Sequence, residues 1–89
     1  MGKKEKIEAL FQVIAGLETP EECEILFADL CTHKEVEKMA ERLHAAKLLM
    51  EGKTYNQVIE ETDISSATLS RVSRCVQYGK GYSSVLKKK

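Results

Sequence analysis

The chain has 89 residues, of which 43% are hydrophobic, and its 14 Lys and Arg balance 14 Asp and Glu to give a formal net charge of zero. A chain of this length forms one small domain without room for a separate catalytic domain, and its hydrophobic content excludes a disordered protein. Its core must be thin, and oligomerisation is one usual way to supplement such a core.

The first two predicted helices are short and amphipathic, with apolar residues at steps of three and four. The first is expected to end at Gly16. The second begins with Thr19 as N-cap, Pro20 in its first turn and Glu22 closing a capping box. The two apolar stripes comprise Ile7, Leu10, Phe11, Ile14 and Leu17, then Cys23, Leu26, Phe27 and Leu30. Helices of about three turns are marginal in water, so we expect both stripes to be buried against a second copy of the chain.

The third predicted helix is the longest. Thr32 as N-cap, with Glu35 three residues later, predicts its start. Gly52 is expected to end it by taking the left-handed conformation. Its inward side chains are expected to be Val36, Met39, Ala40, Leu43, Ala46 and Met50.

Two shorter helices are predicted next. Thr54 and Gln57 form the signature of a fourth helix, which is expected to end near Thr62. The segment SSAT at 65–68 starts a fifth helix, and after Gly79 we expect order to decay. Strands are indicated by alternating apolar and polar residues or by runs of Val, Ile and Thr, and the sequence has neither. The predicted class is therefore all-α with about five short helices.

The fourth and fifth helices have the layout of a helix-turn-helix, which is a short helix, a tight turn and a helix with a polar leading edge. The predicted shared core consists of Tyr55, Val58, Ile59, Ile64, Leu69 and Val72. We therefore divide the chain into dimerisation helices at 1–53, a DNA-binding region at 54–78 and a basic flexible tail at 79–89.

The outward face of the fifth helix predicts DNA binding. Small hydroxyls and the Ala67 methyl suit base edges in a major groove, while Asn56 and Gln57 are placed to contact phosphates. Arg71 and Arg74 have no acid three or four residues away, so an intrahelical salt bridge does not explain them. The remaining predicted contacts are Ser65, Ser66, Thr68 and Ser70. The alternative is that this face serves solubility alone.

The distribution of charge supports an anionic partner. Residues 1–61 contain 8 Lys and Arg against 13 Asp and Glu, whereas residues 62–89 contain 6 against 1. Such asymmetry indicates a surface that binds an anion. Lys87, Lys88 and Lys89 account for half of the basic residues in the second segment, and they are equally well explained as a solubilising tail.

The segments LCTHKEVEKMAERLHAAKLLMEGK and TYNQVIEETDISSATLSRVSRCVQYG resemble the Trp repressor superfamily, and within it the branch of small bacterial YerC/YecD-type proteins. The resemblance covers about residues 7 to 80, and its most specific part is SSATLSRVSRC. It implies an intertwined homodimer in which the first three helices of the two subunits interlock. It also implies two helix-turn-helix heads set one DNA turn apart, and hence a repressor-like, sequence-specific regulator.

The resemblance also implies the location of a ligand pocket. In tryptophan-responsive members two arginines flank the indole, and they match Arg42 and Arg71. Thr32 matches the threonine that opens the third helix beside that pocket. A solvated arginine is an equally good explanation for Arg42.

The pocket residues depart from the tryptophan-binding pattern. Val72 stands where those proteins have a glycine that leaves room for the ring, and Cys75 replaces a serine that helps to hold the amino group. Asp29 and Cys31 stand where the pocket wall is leucine. A cavity shaped for indole tolerates little added volume, so these residues argue against tryptophan and leave open another effector or none.

The predicted turn and the helix before it carry acids. Asp63 stands where such turns commonly have glycine, and aspartate is expected to tolerate the left-handed conformation there. Glu60 lies near a lysine position of the Trp repressor, and Glu61 adds a second acid. These residues predict weaker non-specific DNA affinity, and they suit the alternative function, a helical protein-interaction module that keeps the fold without binding specific DNA.

No feature of the sequence predicts an enzyme, a metal site or a cofactor. His33 and His44 are the only histidines, and nothing near Cys31 and His33 completes a metal site. The three cysteines lack CxxC spacing, which is typical of a reducing cytosol. With no signal peptide and no apolar run of membrane-spanning length, we expect a cytoplasmic protein without a membrane partner.

Overall fold

The computed structural model describes residues 1–87. The regular secondary structure in that range consists of helices alone, with no strand. Its helices are α1 (Lys3–Ala15), α2 (Pro20–Leu30), α3 (His33–Met50), α4 (Tyr55–Glu61), α5 (Ser66–Tyr78) and α6 (Gly81–Leu86). The all-α prediction is confirmed. Lys88 and Lys89, which belong to the predicted tail, lie outside the described residues.

The chain divides into two compact units, Met1–His33 and Lys34–Lys89. In the first unit, α1 ends at Gly16 as predicted, and the Thr19 side chain accepts a hydrogen bond from the Glu22 N–H at 3.1 Å. The Glu22 carboxylate, however, accepts from the Glu18 N–H at 2.7 Å, one residue before the position that a capping box requires. Thr19 is therefore confirmed as the N-cap, but the predicted return bond from the Thr19 N–H to Glu22 is replaced by one from the Glu18 N–H.

The helices of the first unit have no buried residue. Large apolar side chains are open in the single chain, with Ile7 52%, Phe11 60%, Val13 55% and Ile25 71% exposed. Among the stripe residues, Ile7 and Phe11 are more than half exposed and Leu30 is 49% exposed. Four others are half-buried, namely Ile14, Leu17, Leu26 and Phe27. The two stripes are therefore only partly covered, and Val13 and Ile25 are exposed apolar residues outside them.

The core of the second unit is formed by α3, α4 and α5. Its buried residues are Ala45, Ala46, Leu48, Val58, Leu69 and Val72. Partly buried side chains from the helices and the connections complete it, namely Leu49, Ile64, Val76, Tyr82 and Leu86. The residues predicted for DNA binding all belong to this unit.

The face that α3 buries differs from the predicted one. Ala46 is buried as expected, together with Ala45 and Leu48. Met39 and Leu43, which were predicted to point inward, are 36% and 46% exposed. The helix is apolar over a broad arc, and the second unit covers only the part of that arc that includes Ala45 and Leu48.

The end of α3 follows the prediction. Gly52 has φ 95°, a left-handed conformation that side chains disfavour. Its N–H donates to the Leu49 carbonyl at 3.0 Å, and the Lys53 N–H donates to the Leu48 carbonyl at 3.1 Å. This paired arrangement satisfies carbonyls that the end of a helix leaves free.

The segment after α5 differs from the predicted flexible tail, because residues 81–86 form α6. Tyr82 and Leu86 are four positions apart, so they share one helix face, and both pack against the core. The connection is tight at Gly79, where an added Cβ would lie 2.8 Å from the Cys75 carbonyl oxygen. Apolar contacts with the core therefore order a segment whose composition suggested a basic tail.

Replacing Gly52 by alanine is expected to lower the free energy of unfolding by about 1 kcal/mol, because the new side chain would be held in the left-handed region. Gly81→Ala is the matched control, since a Cβ at Gly81 meets no atom within 4 Å. It should leave stability unchanged or slightly raised. Denaturant titration at one protein concentration measures both, and equal losses would contradict this account of Gly52.

Candidate nucleic-acid interface

The candidate interface is the pair of helices α4 and α5, joined by residues 62–65. Val58 and Leu69 are fully buried, and Val72 is 2% exposed. Ile64 in the connection is partly buried and packs against the same cluster. These positions of the predicted shared core are confirmed, and they fix α5 against α4 and α3.

The predicted core is wrong at two positions of α4. Tyr55 is 45% exposed and Ile59 is 38% exposed. The helix has only seven residues and buries one of them, Val58. Tyr55 and Ile59, four positions apart, lie on a neighbouring stripe that the second unit leaves open.

Side-chain caps define where both helices begin. The Thr54 side chain accepts from the Gln57 N–H at 3.2 Å while the Gln57 carboxamide oxygen accepts from the Thr54 N–H at 2.9 Å, which confirms the predicted capping box. At α5, the Ser65 hydroxyl oxygen accepts from the Thr68 N–H at 3.1 Å and donates to the Thr68 hydroxyl oxygen at 3.1 Å. Gln57, Ser65 and Thr68, all predicted DNA contacts, thus also hold the helix starts.

The turn between α4 and α5 contains no left-handed residue, because within residues 1–87 only Gly52 has a positive φ. The expectation that Asp63 takes that conformation is therefore wrong. Thr62 and Ser65 are extended, with φ and ψ of −129° and 173° and of −75° and 162°. The Asp63 N–H donates to the Glu41 carboxylate on α3 at 3.0 Å, a partner that sequence spacing did not reveal.

The outward face of α5 is exposed and carries no acid. Exposed positions among the predicted contacts are Ser65, Ser66, Ala67, Ser70, Arg71 and Arg74, with Asn56 and Gln57 on α4. Thr68 is half-buried. Because Leu69 and Val72 bury the opposite side, α5 presents small hydroxyls, a methyl and two guanidiniums on one accessible face.

Two of the predicted ligand-pocket residues each line a surface cleft of the second unit. Arg42 is half-buried and lines a cleft of about 250 Å³, together with Lys38, Asp63, Ile64, Ser65 and Thr68. Cys75 lines a different, apolar cleft of about 260 Å³ with Gly79, Gly81 and Tyr82. Val72 fills the core, Arg71 is exposed, and Thr32 belongs to the first unit.

The described residues show neither a metal-binding cluster nor a membrane-spanning helix. Within residues 1–87 no three His, Cys, Asp or Glu side chains come together in a way that could hold a metal ion. None of the helices in this range is both long and apolar enough to cross a membrane. The three cysteines are free thiols.

Comparison with known proteins gives consistent matches over most of the chain. The profile of the family described as Trp repressor protein matches residues 5–89. The Bacillus subtilis (strain 168) protein YerC is 46% identical over 74 residues, which are 83% of this chain and 71% of YerC. The similarity therefore extends over both helices of the candidate interface.

Two solved structures share the fold. A candidate Trp repressor from Staphylococcus aureus has a TM-score of 0.87 and 37% identity, covering 99% of this chain and 94% of that one. A TrpR-like protein from Eubacterium eligens ATCC 27750 has a TM-score of 0.90 and 39% identity, covering 97% and 90%. The helical architecture is therefore shared across nearly the whole length of each chain.

Proposed function

The chain belongs to the Trp repressor protein family, and we propose that it is a homodimeric transcriptional regulator that binds specific DNA sequences through α4 and α5, used as a helix-turn-helix. The observation that carries the proposal is the accessible, acid-free face of α5 with Arg71 and Arg74. This face belongs to a helix whose other side is fixed in the core by Leu69 and Val72.

The dimensions of α5 suit the major groove. Its 13 residues span about 20 Å, and a groove about 12 Å wide admits an α-helix. In this arrangement Ser66, Ala67 and Ser70 contact base edges near the start of the helix. Arg71 and Arg74 bind phosphates or guanine, and Asn56 adds phosphate contacts from α4.

The acids around the turn moderate this interface. Glu60, Glu61 and Asp63 are exposed, and carboxylates near a phosphate backbone oppose binding. They also favour the second candidate function, a protein-interaction module that keeps the fold. In a dimer the favourable contacts and the repulsion from these acids would both occur twice, so their balance is set within each chain.

A second copy of the chain is the partner that suits the exposed apolar residues of α1, α2 and α3. Phe11 on α1 and Ile25 on α2 are more than half exposed, and Leu43 on α3 is 46% exposed. Leaving so much apolar surface in water is unfavourable, and pairing with an identical chain would bury it. A dimer also supplies two copies of α5, as palindromic operators require.

The effector of this regulator, if it has one, is not tryptophan. Val72 is 2% exposed and its branched side chain is part of the core, so the position that would have to leave room for an indole ring is filled. The protein therefore binds DNA in the absence of tryptophan.

In solution the protein should have twice the 10.0 kDa mass of one chain. Light scattering after size exclusion, repeated over a range of dilution, measures this mass. Phe11→Glu, which places a charge on an open apolar face, should shift the population toward monomer. A wild-type monomer at every concentration would refute the dimer.

Selection from a random DNA duplex pool should enrich a palindromic motif. Arg71→Ala should weaken binding to that motif by about 1–3 kcal/mol, and if Arg71 contacts a phosphate it should reduce the salt slope by about one. Lys47→Ala is the control, because it removes a cation from α3, outside the helix pair. Unchanged affinity in Arg71→Ala would show that α5 is not the recognition helix, and failure to enrich any motif would favour the interaction module.

Tryptophan should change neither the selected motif nor its affinity. The chain contains no tryptophan, so the fluorescence of added tryptophan would report directly on its binding. No change in that emission is expected at millimolar ligand. Enrichment of a motif only when tryptophan is present would overturn the argument based on Val72 while leaving DNA binding in place.

A further inference from the structure

We propose that Glu41 is a positioning residue for DNA recognition. Its carboxylate fixes the turn between α4 and α5, and thereby sets the orientation in which α5 meets the groove. This inference rests on the proposed function of the helix pair. It assigns a role to an acid on α3, outside the helices that contact DNA.

The hydrogen bond between Glu41 and Asp63 joins parts of the chain that are far apart in sequence. The Asp63 N–H donates to Glu41 Oε1 at 3.0 Å, across 22 positions. Other bonds at the turn are local, such as that from the Thr62 hydroxyl to the Val58 carbonyl at 2.8 Å and that from the Thr68 N–H to Ser65. Local bonds shape the ends of the two helices, whereas the bond from Asp63 fixes the turn to α3.

Glu41 is well placed to act as an anchor. It is half-buried and lies four positions before Ala45 and seven before Leu48, so it continues the face that α3 packs into the core. Ile64, the next residue after Asp63, is inserted into the same core. The turn is therefore held at two adjacent points, by an apolar side chain and by a charge-assisted hydrogen bond.

The turn has few other constraints on its conformation. No glycine or proline lies in residues 62–65, and none of these residues takes a left-handed conformation. The extended residues Thr62 and Ser65 are compatible with many relative orientations of the helices. The hydrogen bond from the Asp63 N–H to Glu41 on α3 selects one of these orientations.

The charge of Glu41 makes the inference testable, because two effects predict opposite results. Electrostatics alone predicts that removing a carboxylate near the DNA-binding region strengthens binding to phosphates. A positioning role predicts that the same change weakens binding to the specific sequence, while binding to unrelated sequence is little affected.

The experiment compares Glu41→Ala, Glu41→Gln and the control Glu51→Ala on the selected duplex and on a scrambled duplex. Glu41→Ala should raise the Kd for the selected duplex about three- to tenfold, as expected for one lost hydrogen bond, with little change for the scrambled duplex. Glu41→Gln keeps an acceptor oxygen and should restore the affinity. Glu51→Ala makes the same charge change immediately after α3 and should not weaken binding.

Amide hydrogen exchange of Asp63 in the free protein provides a readout that is independent of DNA. It should become faster in Glu41→Ala and remain near the wild-type rate in Glu41→Gln. Unchanged exchange in Glu41→Ala, unchanged or tighter binding to the selected duplex, or an equal loss on both duplexes would each overturn the positioning role. If the wild-type protein binds no duplex, the proposed function fails and this inference fails with it.

Discussion

The apolar core that α3 shares with the following helices is the constraint on which the second unit depends. Ala45 and Ala46 are both fully buried, although each has only one methyl group to fill space. Such burial requires neighbouring side chains to contact the α3 backbone closely. The core cluster around these alanines contains Val58, Leu69 and Val72. Burial of each of these side chains contributes about 1.5–3 kcal/mol to the free energy of unfolding. A larger residue at either alanine would displace the helices that carry the candidate interface.

The same packing determines what α5 can present outward. Arg71 is exposed while the next residue, Val72, is buried. Adjacent residues of α5 therefore belong to the candidate binding face and to the core. A rigid inner face gives a helix the precise placement that base recognition needs. Val72 fills part of the core together with Leu69 and Val58, so this side of α5 is committed to packing.

Local signals in the sequence predicted the first five helices and missed the sixth. Caps and glycines identified the starts at Thr19 and Thr54 and the end at Gly52, because these depend on neighbours a few residues away. Periodicity separated the buried and exposed sides of α5 for the same reason. Leu43 was misplaced because periodicity identifies an apolar arc and does not say which part of it the chain covers itself. The hydrogen bond that the Asp63 N–H donates to Glu41 was missed because the two residues are distant in sequence.

The sixth helix has a consequence for how the protein reaches its final structure. Tyr82 and Leu86 complete a core whose other residues begin at Ala45, and they are translated after all of them. While the ribosome still holds these two residues, α5 lacks part of its packing surface. Folding of the second unit is therefore completed only after residue 86 has left the ribosome, and a chain cut short before α6 would carry all of α5 on an incomplete core.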